Sequence, residues 1–118
     1  MKQKELQEHL SHHREITLYV TGRKSGKTIS IPVWFVLEEN KLYLLPVRGS
    51  DTQWYRNVLT KPQIRIDAGG TGASLKVKPI TESTAVESII EKFRHKYGAG
   101  DVKKYYGKFD VAVEAVME

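Results

Sequence analysis

The sequence predicts a mainly β (α+β) fold, a six-stranded antiparallel barrel with short peripheral helices. Three observations lead there. Six runs of strand length are rich in β-branched, aromatic and aliphatic residues. Two of their junctions, at 22–27 and 69–72, are polar reversals bracketed by glycine, which supplies the positive φ angles that tight turns need. The helical stretches do not alternate regularly with the strands, as the crossovers of a parallel sheet would require. Closure into a barrel then removes the edges that an open sheet must protect.

Within residues 1–13, Leu6 and Leu10 stand four apart among polar residues, the spacing of a short amphipathic helix. Residues 16–20 form the first strand, and 28–37, which contains ISIPVWFVL, the second. A turn at 38–40 leads to a third strand over 41–47. Ser50 or Asp51 is placed to cap a helix over 52–60, in which Trp54, Val58 and Leu59 share a face before Pro62 ends it. Strands follow at 63–68 and 73–79. Ser83 or Thr84 then caps a helix to Tyr97, with Val86, Ile89, Ile90 and Phe93 on one stripe. Gly98 and Gly100 stop it, residues 103–106 make a further helical turn, and Phe109, Val111, Val113, Ala115 and Met117 alternate as one face of a closing strand.

A chain of 118 residues, 40% apolar and 28% charged, suits a single domain over 1–118 with one ordinary core. The absence of cysteine excludes a disulfide scaffold, a zinc ribbon, an iron–sulfur site and a thiol nucleophile together. Net charge is +5, and the excess is confined to one half: residues 1–65 hold eleven Lys/Arg against six Asp/Glu, whereas 66–118 hold eight of each. An anion site is therefore expected in the first half. No stretch has the apolar length of a signal peptide core or a membrane span, so the chain reads as cytoplasmic.

The most distinctive local feature is Gly22-Arg23-Lys24-Ser25-Gly26-Lys27. Three cations, a hydroxyl and two glycines form a cradle for phosphate or another oxyanion, although an exposed hairpin is often basic for no further reason. The spacing is not that of a Walker loop. At Pro46-Val47-Arg48-Gly49-Ser50-Asp51 a strand end meets a helix start, which exposes amides suited to a heterocycle edge or an anion. Trp54 serves either as a core anchor or as a lid over a bound ring, and Asn57 either caps locally or recognises a ligand carbonyl. His9, His12 and His13 share a helical face, but no cysteine or matched carboxylate pair completes a ligand set, so no metal is expected. There is no GxSxG elbow for serine hydrolysis.

TGRKSGKTISIPVWFV, LYLLPVRGSDTQWYRN and KYGAGDVKKYYGKFDVAVEAV together resemble the deazaflavin-dependent nitroreductase and quinone-reductase family, within the FMN-binding split β-barrel group that includes pyridoxamine 5′-phosphate oxidase. The resemblance runs from about Ile16 to Val116. It implies a split barrel that binds coenzyme F420, or FMN in the same pocket, and passes a hydride between that coenzyme and a small oxidised acceptor such as a quinone or nitro compound. It further implies that Arg23, Lys24 and Ser25, with Lys27 nearby, hold the coenzyme's tail phosphate. Pro32 would lie by the ring, Val47, Arg48 and Gly49 at its polar edge, and Trp54 and Asn57 would complete the pocket. Tyr97 and Tyr106, with Tyr105, are the candidates for proton donation or substrate contact. Ile29 stands where nitro-reducing relatives have an arginine, so substrate class does not carry over. Members of the group often form homodimers.

Two further readings remain. One is a barrel that binds the coenzyme without fast chemistry. The other is a nucleic-acid binder using Tyr19, Trp34 and Tyr43 for stacking. Against the latter, Trp34 lies in the most apolar strand and no RNP-like signature is present, so no nucleic-acid partner is expected.

Overall fold

The structure is a computed structural model that describes residue 8 and residues 10–117. It is a curled antiparallel sheet of seven strands: β1 (Ile16–Thr21), β2 (Thr28–Val33), β3 (Phe35–Glu38), β4 (Lys41–Leu44), β5 (Gln63–Ala68), β6 (Thr71–Ile80) and β7 (Ala112–Val116). Their order across the sheet is β2-β1-β5-β6-β7-β4-β3, and every ladder is antiparallel. The helices α1 (Gln53–Thr60), α2 (Ser83–Tyr97) and α3 (Ala99–Tyr105) flank it.

The mainly β split-barrel architecture is as expected, but the strand count is seven rather than six. The run 28–37 divides at Trp34. Up to Val33 it pairs with β1, Val33 facing Ile16; from Phe35 it pairs with β4, Phe35 facing Leu44. Alternation continues through the break, with Ile31, Val33 and Phe35 packed in one core and Trp34 and Val36 in another, which is why the run reads as a single strand. Among the described residues no ladder joins β2 to β3, so the two edges of the sheet meet only through the chain itself.

The first core fills the curl of the sheet with Leu18, Val20, Phe35, Ile64, Ile66 and Val113, closed by Trp54, Tyr55 and Val58 of α1. The second lies between the sheet and α2–α3, where Val36, Tyr43, Leu45 and Ala112 meet Val86, Ile89, Ile90, Phe93, Tyr97, Val102 and Tyr106. Burial of these side chains is the main stabilising term, about 1.5–3 kcal/mol for each large aliphatic.

Helix starts depart from the sequence expectation. Thr52, not Ser50 or Asp51, is the N-cap of α1, because residues 49–51 are taken into a 3₁₀ turn. Glu82, not Ser83 or Thr84, caps α2, its carboxylate accepting from the Thr84 and Ala85 amides at 3.1 and 2.9 Å. Those bonds hold the Glu82 carboxyl below its usual range. The late helical turn expected at 103–106 is the longer α3, set off from α2 by Gly98 at φ +95°. Of the helix expected over 1–13, residues 1–7 and 9, including Leu6 and His9, lie outside the described residues. Leu10 is fully buried in the first core. No described helix is long and apolar enough to cross a membrane.

Candidate functional site

A cavity of about 680 Å³ opens where the end of β2, the segment 45–54 and the end of α3 converge. Pro32, Val47, Arg48, Trp54 and Tyr106 line it, together with Ile31, Val33, Trp34, Leu45 and Tyr105, and with Glu15, Asp51, Thr52 and Gln53 on the polar side. Arg23, Lys24, Ser25, Lys27, Gly49, Asn57 and Tyr97 are not among the lining residues. The volume is that of an ordinary organic-ligand site, and flat aromatic walls with few polar groups suit a planar heterocycle.

The basic hairpin lies against α1. Gly22 and Lys27 close it, the Gly22 amide donating to the Lys27 carbonyl at 2.8 Å and the Lys27 amide to Ser25 Oγ at 3.2 Å. Arg23 is committed: its amide and Nη1 both donate to Asn57 Oδ1, at 3.1 and 2.8 Å, and Nη2 donates to Gln53 Oε1 at 2.9 Å. Asn57, 4% exposed, is thus the anchor of the hairpin rather than part of the cavity wall. Gln53 belongs to both, joining the hairpin to the cavity mouth. Lys24 and Lys27 are exposed, with their ammonium groups unpaired among the described residues.

The turn carrying Arg48 is held from the far end of the sequence. Gly49 has φ +55°, a conformation that disfavours side chains, and a Cβ there would overlap the Asp110 carboxylate. Ser50 donates to that carboxylate twice, through its amide at 2.9 Å and its Oγ at 2.6 Å. Burial pushes the Asp110 carboxyl up, but the Ser50 bonds and Lys108 outweigh it and leave it below its usual value. Lys108 also binds Asp51 at 3.1 Å, which lowers the Asp51 carboxyl and raises Lys108. A bridge from Arg48 to Lys108 and a 2.8 Å bond from the Gly107 amide to the Val47 carbonyl complete the clamp.

The aromatic wall is layered. Trp34 stacks on Tyr97 with centroids 4.2 Å apart and planes 5° from parallel, while Tyr105 meets its edge at 5.5 Å. Tyr97 stands behind Trp34, and its hydroxyl accepts from the Phe35 amide at 3.1 Å and donates to the Phe35 or Arg14 carbonyl, at 2.9 and 2.6 Å. Burial pushes its pKa up to about 12. Tyr106 is 6% exposed, lines the cavity and has no hydrogen-bond partner for its hydroxyl among the described residues. Burial, then the neighbouring Tyr97, raise its pKa, so it is a neutral donor at physiological pH.

Residues 6–115 match the model of DUF2255, a family of uncharacterised proteins conserved in bacteria. The chain belongs to this family. No curated protein matches the sequence. Among solved structures, the DUF2255 chain is similar to an F420-H2 dependent reductase, FDR-A, at 18% identity over 87% of this chain and 94% of the other, with a TM-score of 0.68. A candidate pyridoxamine 5′-phosphate oxidase from Listeria innocua aligns at 14% identity over all of this chain and 94% of its own, TM-score 0.69. A domain-swapped dimer aligns at 18% identity over 95% of both chains, TM-score 0.67. At these identities the likeness is one of fold.

Sequence reasoning missed two features that shape the site of this DUF2255 chain. Asp110 lies 60 residues from Ser50, and nothing local in the sequence marks that contact. Gln53 gave no signal because its partner, Arg23, was read as an open cation. Among the described residues no three His, Asp or Glu side chains cluster as a metal set.

Proposed function

We propose that this protein is a flavin- or deazaflavin-dependent oxidoreductase whose 680 Å³ cavity holds the coenzyme ring, F420 or FMN, beside a small oxidised acceptor such as a quinone or nitro compound. One observation carries the reading. Pro32, Val47, Arg48, Trp54 and Tyr106, from separate stretches of chain, line one aromatic-walled cavity. Folds of this type in an F420-H2 dependent reductase and a candidate pyridoxamine 5′-phosphate oxidase support it.

The bound coenzyme would supply the hydride chemistry, and the chain supplies binding, orientation and electrostatics. Pro32, Val47 and Trp54 exclude water from a flat ligand, with Trp34 braced by Tyr97. Arg48, whose turn Gly49 shapes and Asp110 clamps, presents a cation to a polar ring edge. Lys24, Ser25 and Lys27 face solvent to meet an acidic tail, while Arg23, tied to Gln53 and Asn57, fixes the hairpin they stand on. Tyr106 donates a hydrogen bond or proton to the acceptor, and Tyr97 acts by holding the wall in place. A homodimer is part of the proposal, supported by the domain-swapped dimer of like fold.

The test is parallel titration of the purified protein with F420 and with FMN, followed by visible absorption and fluorescence, then turnover with quinone and nitro acceptors. Saturable binding that Arg48→Ala weakens supports the proposal. Binding of neither coenzyme overturns it, and tight binding without turnover leaves a coenzyme-binding protein.

A further inference from the structure

A second concavity, of about 260 Å³, shares no lining residue with the first. Strand register explains its position. Tyr19 of β1 faces Ser30 and Arg65, Thr21 faces Thr28, and Arg65 of β5 faces Ser74 of β6. Directly opposed residues share a face of the sheet, and Leu18, Val20, Ile64 and Ile66 fill the core from the other face. These polar side chains therefore stand together on the outer surface, and Lys61, just after α1, completes the lining.

Its chemistry is one-sided. Thr21, Thr28, Gln63 and Ser74 surround the cations Lys61 and Arg65; every polar side chain in the lining carries a donor and none is a carboxylate. Lys61 and Arg65 have no ion-pair or side-chain hydrogen-bond partner among the described residues. Elsewhere on the sheet and helices, grooves with lysines contain the neutralising acid: Glu114 lies 3.6 Å from Lys78, and Glu38 2.9 Å from Lys92. A Cβ at Gly72 would meet the Ile66 carbonyl at 2.6 Å and Arg65 Nη2 at 3.0 Å, so the Arg65 guanidinium passes over Gly72 at the edge of the concavity. Asp67, in the next cross-strand row, does not line the concavity.

We infer that this outer-face concavity is a second ligand site, for a tetrahedral oxyanion of the phosphate class, separate from the coenzyme cavity. Two cations and hydroxyls from three strands line one concavity, a donor set that matches an oxyanion. The volume admits a phosphate with its nearest waters and falls below that of sites for drug-sized ligands.

The test is a titration of isotope-labelled protein with inorganic phosphate at fixed ionic strength, with chloride as control. Saturable amide shifts are expected at 19–21, 28, 63–65 and 74. Lys61→Gln with Arg65→Gln should weaken binding about tenfold or more, and the exposed Lys61→Gln alone several-fold, with coenzyme binding unchanged. A second arm uses glycerol phosphate: tighter binding than inorganic phosphate assigns the site to a phosphate carried on a larger molecule, equal or weaker binding to the free ion. Shifts that saturate nowhere on this face, or wild-type phosphate affinity in the folded Lys61→Gln variant, overturn the inference.

Discussion

Gly49 and Tyr106 show how single residues carry the cavity. Gly49→Ala forces a side chain into a left-handed conformation against the Asp110 carboxylate. It should destabilise the fold by roughly 1–3 kcal/mol in denaturant unfolding. Adding Asp110→Ala relieves the overlap but not the φ angle, so the double variant should recover only part of the loss beyond the cost of Asp110→Ala itself. Tyr106→Phe removes a hydroxyl that bonds to nothing among the described residues. Stability should stay within about 0.5 kcal/mol of the parent. If Tyr106 donates to the acceptor, turnover should fall about a hundredfold or more while coenzyme affinity holds, read from kcat and a coenzyme titration.

The hairpin and α1 act as one unit, because Asn57 receives both the backbone and the side chain of Arg23. Asn57→Ala should cost about 1–3 kcal/mol by leaving those donors unpaired in a partly buried place. Arg23→Ala should cost about 1 kcal/mol, and exposed Lys24→Ala less than about 0.5 kcal/mol, a ranking that thermal unfolding can check. The hairpin itself was legible, since two glycines and a polar run between β-rich segments have few other solutions. The role of Arg23 was not. Its partners stand 30 and 34 residues away, and whether a surface arginine is open or committed depends on packing that no local pattern encodes. Pro32, Val47, Arg48 and Trp54 were legible as a group through resemblance. Tyr97 was expected to act at the site, yet its hydroxyl is spent on Phe35 and Arg14, a consequence of how α2 docks on β3. The division of 28–37 escaped notice because side-chain alternation survives the change of partner strand.

For the whole molecule, Lys96 links stability to pH. Its Nζ lies 3.5 Å from the centroid of Phe35 and donates to the Phe35 carbonyl at 2.9 Å, but burial, then Arg14, bring its pKa down to about 8. Between about pH 8 and the unfolded value near 10.5, the unfolded chain holds the extra proton, so the penalty present below pH 8 is progressively relieved as pH rises. The parent should therefore gain stability relative to Lys96→Met from pH 7.5 to pH 9.5 in chemical denaturation, and a flat difference would contradict that account. The molecule also has a seam. Since among the described residues β2 and β3 share no ladder and are joined through Trp34, no inter-strand hydrogen bonds of the sheet close the wall of the large cavity there. The Tyr97 hydroxyl spans that opening, accepting from the Phe35 amide of β3 and donating to the Phe35 carbonyl or to the Arg14 carbonyl just ahead of β1, which makes one phenol a latch across it.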